Sequence, residues 1–377
     1  MDSHERIETA IRLGKPDRVP VVPIIDFFAA GYGGISQKEM FFDVKKADRA
    51  VEITMRDLGR IDGQSLTYAG FGKALRFFFP RPPRIPGVDG VPESEGFQFV
   101  EESVMSPDEY KDIEEEGPFR WLIKKTCEGK PQYQGISGKI NFLYMLANVA
   151  PQLKMSIRRL RSLGVESLVG YNIAFTPLEF ISLFLRSFSD LVLDMFRRPD
   201  ELKAASRALL RPLQLQGLAL VKLTGVKRVF MGGARTSASF IGPRQFEEFA
   251  LPEWIATTEY FVSHGITPIL HMDSEWTPFF PYLKELPKRK CVLNLDGTSD
   301  IFKAKEMLGD HMCIMGDVPA SLLKLGEPQE VDEYCRRLIS ELGADGGFIL
   351  SSGCTIPYDA KPENVKAMLA SVHRYGG

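Results

Sequence analysis

Short apolar runs alternating with amphipathic stretches set the rhythm of this chain. From about residue 160, "ESLVGYNI" (166–173), "KRVFMGG" (227–233), "TPILHMD" (267–273), "CVLNLDG" (291–297), "MCIMGDV" (312–318) and "GGFILSSG" (346–353) are apolar runs of strand length. Helix-period segments such as "QFEEFALPEWIATTEYFVSHG" and "QEVDEYCRRLISELG" separate them. A run without polar alternation is buried on both faces, and such strands interleaved with helices predict parallel βαβ units. Upstream, "RVPVVPII" (18–25) and "GQSLTYAG" read as two further strands. A helical pattern over 37–60 lies between them, and "MDSHERIETAIRLGKPDR" predicts an amphipathic first helix. Six late strands and two early ones predict an α/β fold, a (β/α)8 TIM barrel forming one domain over 1–377 with an N-terminal helical extension. An open doubly wound sheet is the alternative, but no G-x-G-x-x-G follows the first strand to support dinucleotide binding. The Pro- and Gly-rich stretch from 73 to 102 breaks the rhythm and reads as an inserted hairpin near a pocket.

In a barrel of this kind chemistry gathers at the C-terminal ends of the strands. The stretch "ILHMDSEW" ends an apolar run with His271, Asp273 and Glu275 at every second position, which a strand would aim at one face. "SSGC" closes the last run and puts Cys354 on the same rim. Cys313, three residues before Gly316, reads as either core or ligand. Thirty-nine residues separate Asp273 from Cys313 and 40 separate Cys313 from Cys354, so each comes from a different strand. Imidazole, carboxylate and thiolate are zinc ligands by type, and a catalytic zinc takes three of them and keeps one position open. Cys291 and Cys335 read as packing residues and Cys127 as surface. "MGGARTSASF" (231–240) offers backbone N–H groups to an anion. A metal-free reading makes His271 and Asp273 a proton-transfer pair.

Composition narrows the class. A net charge of −2 and no basic stripe remove the electrostatic footprint of a nucleic-acid binder. No run of 18 apolar residues predicts a membrane span, and five scattered cysteines fit a reducing cytoplasm better than a disulfide framework. The expectation is a soluble cytoplasmic enzyme, with a homodimer as the assembly.

"GGFILSSGCTIPYDAKPENVKAML", "PILHMDSEWTPFF", "DIFKAKEMLGDHMCIMGDVPASLL" and "YNIAFTPLEFI" together resemble the uroporphyrinogen decarboxylase superfamily, and within it the cobalamin-dependent methyltransferase branch. The resemblance implies a (β/α)8 barrel. The decarboxylases use arginines near the first strand to hold a polycarboxylate; here that place reads "DFFAAGYGGIS", without an arginine. The zinc-dependent methyltransferases carry His-x-Cys on one strand and a Cys on the last. This chain matches His271 and Cys354 but has Asp273 in place of the first Cys. A harder acidic ligand suits an oxygen-bearing substrate, and the resemblance implies a corrinoid-dependent O-demethylase. Zinc would be held by three of His271, Asp273, Cys313 and Cys354, with Glu275 in reserve, and His271 and Asp273 would act in catalysis. The methyl acceptor would be the cobalt of a corrinoid (cobalamin) carried by a partner protein. A small aromatic methyl ether would be the substrate, lined by Phe27, Phe28, Tyr32, Tyr68 and Phe71, with polar contacts from Tyr171, Asn172 and Asp317. Methyl transfer from methylcobalamin to a thiol or pterin, and a metal-free decarboxylase, are the alternatives.

Overall fold

The computed structural model describes residues 1–59 and 61–376. Its strands are β1 (Gly63–Leu66), β2 (Glu166–Gly170), β3 (Ile173–Ala174), β4 (Arg228–Gly233), β5 (Thr267–Met272), β6 (Val292–Leu295), β7 (Cys313–Val318) and β8 (Phe348–Ser352). All pairings between them are parallel: β1 with β2, and β3 through β8 in sequence order. The predicted strand 166–173 is split because Gly170 turns through a φ of 60°. Past that kink, β3 resumes the path against β4.

The extended residues 21–24 join the two ends. Val22 N donates to Leu350 O at 2.8 Å and Ile356 N to Ile24 O at 2.9 Å, on the β8 side. On the other side Asp62 N donates to Val21 O at 2.9 Å and Ser65 N to Pro23 O at 3.0 Å. Counting 21–24 as one strand and β2–β3 as one, hydrogen bonds run around an eight-membered ring, the barrel expected from the apolar runs.

Helices cover the ring, among them Pro199–Thr224, Leu251–Ser263, Pro328–Leu342 and Pro362–Tyr375. The helical pattern at 37–60 is realised as Gln37–Phe42 and Val44–Leu58, split at Asp43, whose carboxylate caps the second helix by accepting from Lys45 N and Lys46 N. The last residue of that predicted helix, Arg60, lies outside the described residues. The first helix, Ser3–Ile11, closes the bottom of the barrel. Its buried Ile7, Ala10 and Ile11 share one apolar cluster with the inward residues Val22, Leu66, Leu168, Ile269, Val292, Cys313, Met315 and Ile349. Apolar area removed from water is the driving term there.

Within 73–102, Gly72–Phe78 is a short helix, and the chain beyond it doubles back. Arg84 and Gln98 exchange backbone hydrogen bonds at 2.9 and 3.2 Å in an antiparallel bridge. This arm carries Pro83, Gly96, Phe97 and Phe99 over the C-terminal mouth of the barrel. Among the described residues no helix is long and apolar enough to cross a membrane.

Candidate metal centre

Parallel register decides which inward side chains share a layer. Ile269 pairs with Val292 and Val292 with Cys313; one step toward the mouth, His271 pairs with Asn294 and Asn294 with Met315. Two residues along a strand are about 6.6 Å, so Cys313 sits a full layer below His271. It begins β7, wholly buried, and its thiol is pushed up to about 12 by that burial. The structure therefore does not bring Cys313 to the site; it belongs to the apolar cluster over the N-terminal plug.

His271, Asp273 and Cys354 do converge, one potential ligand atom from each lying within 4.8 Å of the others. His271 Nε2 is 3.2 Å from Asp273 Oδ1, and the imidazole is 3% exposed. Phe230 on β4 lies against its ring, centroids 4.9 Å apart. Asp273 stands just past the end of β5, pinned on both sides: its N donates to Gly233 O at 3.1 Å and its O accepts from Trp276 Nε1 at 3.0 Å. Cys354 follows Gly353, where a Cβ would lie 2.2 Å from the Asp296 carbonyl oxygen. Only glycine lets the chain pass there and turn the thiol inward.

Glu275 does not join them. The strand alternation that would aim it inward ends at Met272, and Ser274 turns through a φ of 70° with its N held by Asp296 Oδ2 at 2.7 Å. Glu275 instead accepts from Thr277 N at 2.6 Å and caps the turn that follows.

The residues fit a cation. Burial alone would lower the His271 pKa, but the charge of Asp273 and its hydrogen bond, with Cys354 behind them, hold it well above the usual histidine value. The trio thus favours positive charge at Nε2. A tetrahedral zinc with bonds of about 2.0–2.3 Å keeps its ligand atoms about 3.3–3.7 Å apart; the His271–Asp273 pair stands at 3.2 Å, and Cys354 lies within 4.8 Å of both. Nitrogen, oxygen and sulfur together make a borderline-soft donor set of the kind zinc accepts.

A cavity of about 410 Å³ opens onto the three donors. Eight aromatic rings line it: Phe27, Tyr68, Phe79, Phe97, Phe99, Phe175, Phe184 and Phe230. They pack as two groups, with Tyr68 and Phe97 centroids 4.9 Å apart on one side and Phe79 stacked on Phe184 at 4.1 Å on the other. Among the described residues that line it none is lysine or arginine, and Asp273 is the one carboxylate.

Of the eight substrate contacts expected from the sequence, Phe27 and Tyr68 line this cavity and six residues do not. Tyr32 reaches outward, its hydroxyl 3.4 Å from Asp57. Tyr171 is buried and donates to Ala69 O at 2.8 Å. Asn172 clasps the β2–β3 kink, donating to Val226 O and Arg228 O and accepting from Thr224. Asp317 accepts from Tyr334 at 2.8 Å, on the outer helix Pro328–Leu342. Each satisfies a local backbone or helix-layer demand, which wins over the cavity. Phe28 and Phe71 are likewise core. In the small-residue stretch 231–240, Arg235 N and Thr236 N are taken internally, donating to the buried Glu179 carboxylate. No sequence expectation covered Asn294 or the aromatic residues Phe79, Phe175, Phe184 and Phe230. Asn294 had a signal, being the single polar residue inside "VLNL".

A family model described as uroporphyrinogen decarboxylase (URO-D) matches residues 155–375, more than half of the chain. Curated relatives include the uroporphyrinogen decarboxylases of Pseudoalteromonas atlantica, 30% identical over 83 residues, and of Methylococcus capsulatus, 31% over 84 residues. Each match covers 22% of this chain and 23% of the relative's length, so the chain spans about a quarter of the relatives it matches. A solved structure of a methyltransferase from Methanosarcina mazei superposes with a TM-score of 0.71 over 100% of this chain and 99% of its own. At 14% identity that likeness is one of fold.

Proposed function

The chain belongs to the uroporphyrinogen decarboxylase (URO-D) family, and on that premise we propose that it is a zinc-dependent methyltransferase acting on a neutral aryl methyl ether. The observation that carries this reading is the cavity: largely apolar, with eight aromatic rings in its lining, without a basic residue, and open to His271, Asp273 and Cys354. A porphyrinogen bearing many carboxylates needs buried cations to replace its hydration, and the lining supplies none. An aromatic ring of a small ether gains from stacking and desolvation there.

His271, Asp273 and Cys354 are the residues to hold zinc. Zinc, when bound, supplies Lewis-acid stabilisation to the oxygen that develops charge as the methyl leaves. The aromatic walls exclude water and orient the ring so that its methyl faces the mouth. There the C–O bond would break with both bonding electrons staying on the phenolate oxygen, and a Co(I) corrinoid presented by a partner protein would be the methyl acceptor. A phenol ionises at about pH 10, as a tyrosine side chain does, and zinc, when bound, would stabilise the phenolate further, so the leaving group requires no strong acid from the chain. The structural likeness to a methyltransferase and the resemblance of the closing motif support this choice of reaction.

Elemental analysis of the parent, Cys354→Ala and Cys313→Ala tests the centre. The expected result is about one zinc per chain in the parent and in Cys313→Ala, and little in Cys354→Ala, as for loss of one of three ligands. A methoxyarene mixed with the chain and Co(I) cobalamin should then give methylcobalamin, followed by its absorbance. No zinc in the parent would overturn the reading and leave the His271–Asp273 pair to proton transfer without metal.

A further inference from the structure

Asn294 is wholly buried in the middle of β6, a place where a polar side chain survives only with its hydrogen bonds made. It lies directly beside His271 in the strand register and its Oδ1 is 2.7 Å from His271 Nδ1. On its other side Nδ2 is 3.3 Å from the carbonyl oxygen of Met315 on β7. A backbone carbonyl can only accept, so the amide nitrogen must face Met315 and the amide oxygen must face His271. Nδ1 is then obliged to carry a proton and donate it. In the neutral imidazole, the form that binds a metal, the lone pair is then on Nε2, the atom that faces Asp273 and Cys354.

We propose that Asn294 is a positioning residue for the metal centre: anchored by the β7 backbone, it fixes the ring orientation and tautomer of His271 so that Nε2 is the ligating nitrogen. The inference rests on the zinc reading of the same site. Phe230 against the ring closes the other direction of rotation, so Asn294 and Phe230 together leave the imidazole one seat. Outer partners of ligating histidines act in this way, and their loss weakens metal binding by roughly 10- to 100-fold.

The test is zinc affinity, measured by competition with a chromophoric chelator on the metal-stripped parent, Asn294→Ala and Asn294→Asp. Cobalt(II) substitution adds a spectroscopic readout, and a thermal melt of each metal-stripped chain checks folding. Asn294→Ala should bind zinc about 10- to 100-fold more weakly and give a changed cobalt spectrum. Asn294→Asp keeps an acceptor for Nδ1–H and should stay within about tenfold of the parent. Parent-like affinity in Asn294→Ala, within about threefold, overturns the proposal while leaving the zinc centre standing. Equal losses in both variants also overturn it, because packing at Met315 would then account for the effect. If Asn294→Ala does not fold, Asn294→Asp decides alone: a loss greater than tenfold refutes the acceptor role. A parent that binds no zinc removes the metal reading itself, and this inference with it.

Discussion

At the residue scale, the inner wall is governed by which buried polar groups find partners. Asp26, wholly buried at the start of the helix Asp26–Tyr32, accepts from Tyr68 N and Gln64 Nε2, yet burial outweighs those bonds and pushes its carboxyl up to about 7. An unfolded aspartate titrates near 4. Between about pH 4 and 7 the folded chain therefore holds a proton that the unfolded chain has released. The stabilisation is full below the unfolded value and is lost as pH rises through the folded one. Asp26→Asn carries no charge at any pH. Its stability relative to the parent should rise from pH 5 to pH 8 by up to about 2.7 kcal/mol, the worth of the roughly two pKa units of the shift that fall in that range. Thermal melts across that range check it, and a pH-independent gap would contradict the assignment. His271 shows the opposite balance, since there a neighbouring carboxylate overrides burial.

At the element scale, two segments outside the barrel strands do unequal work. The helix Ser3–Ile11 seals the N-terminal end by burying Ile7, Ala10 and Ile11 against inward strand residues. Removing most of the fully buried Ile7 side chain leaves a cavity that the barrel cannot collapse to fill. Ile7→Ala should cost about 2–5 kcal/mol, read from urea unfolding, with zinc content unchanged because the site lies at the far end. The arm closed by Arg84 and Gln98 works at the mouth instead. Phe97 there packs against Phe27, Phe41 and Tyr68. Phe97→Ala takes away one wall of the slot, so KM for an aryl ether should rise about tenfold, the loss of roughly 1.4 kcal/mol of binding. Zinc content again serves as the control. An unchanged KM would place the substrate elsewhere.

At the scale of the whole molecule, the barrel separates stability from chemistry along its axis. Apolar layers and the plug occupy the N-terminal end, while the donors and the aromatic cavity occupy the C-terminal end. The cavity carries no compensating cation, so an ionised carboxylate on the substrate would lose water without gaining a partner. Neutral methoxyarenes should accordingly be turned over with kcat/KM at least about tenfold above methoxybenzoates, a difference of roughly 1.4 kcal/mol in transition-state binding. Steady-state kinetics on a matched pair of substrates decides it; equal values would show that a charge is accommodated and that the lining has been misjudged.

The chain by itself determined the barrel and much of the candidate centre's residue set, because both follow from short-range rules. Apolar runs separated by helical patterns specify parallel strands, and a polar residue ending such a run specifies a rim position, so His271, Asp273 and Cys354 were legible. The same rules overreached where a local turn intervened. Glu275 continues the alternation on paper, but Ser274 ends the strand geometry one residue earlier. Cys313 has the right element and the wrong depth, and depth is a matter of register between strands that are far apart in sequence. Tyr171, Asn172 and Asp317 stand at strand ends as expected, yet partners on other elements turn them away from the cavity. Only the tertiary structure could bring Phe79, Phe97, Phe175, Phe184 and Phe230 around one cavity, or set Asn294 beside His271. Those placements depend on ring closure and on contacts between distant segments, which no periodicity along the chain encodes.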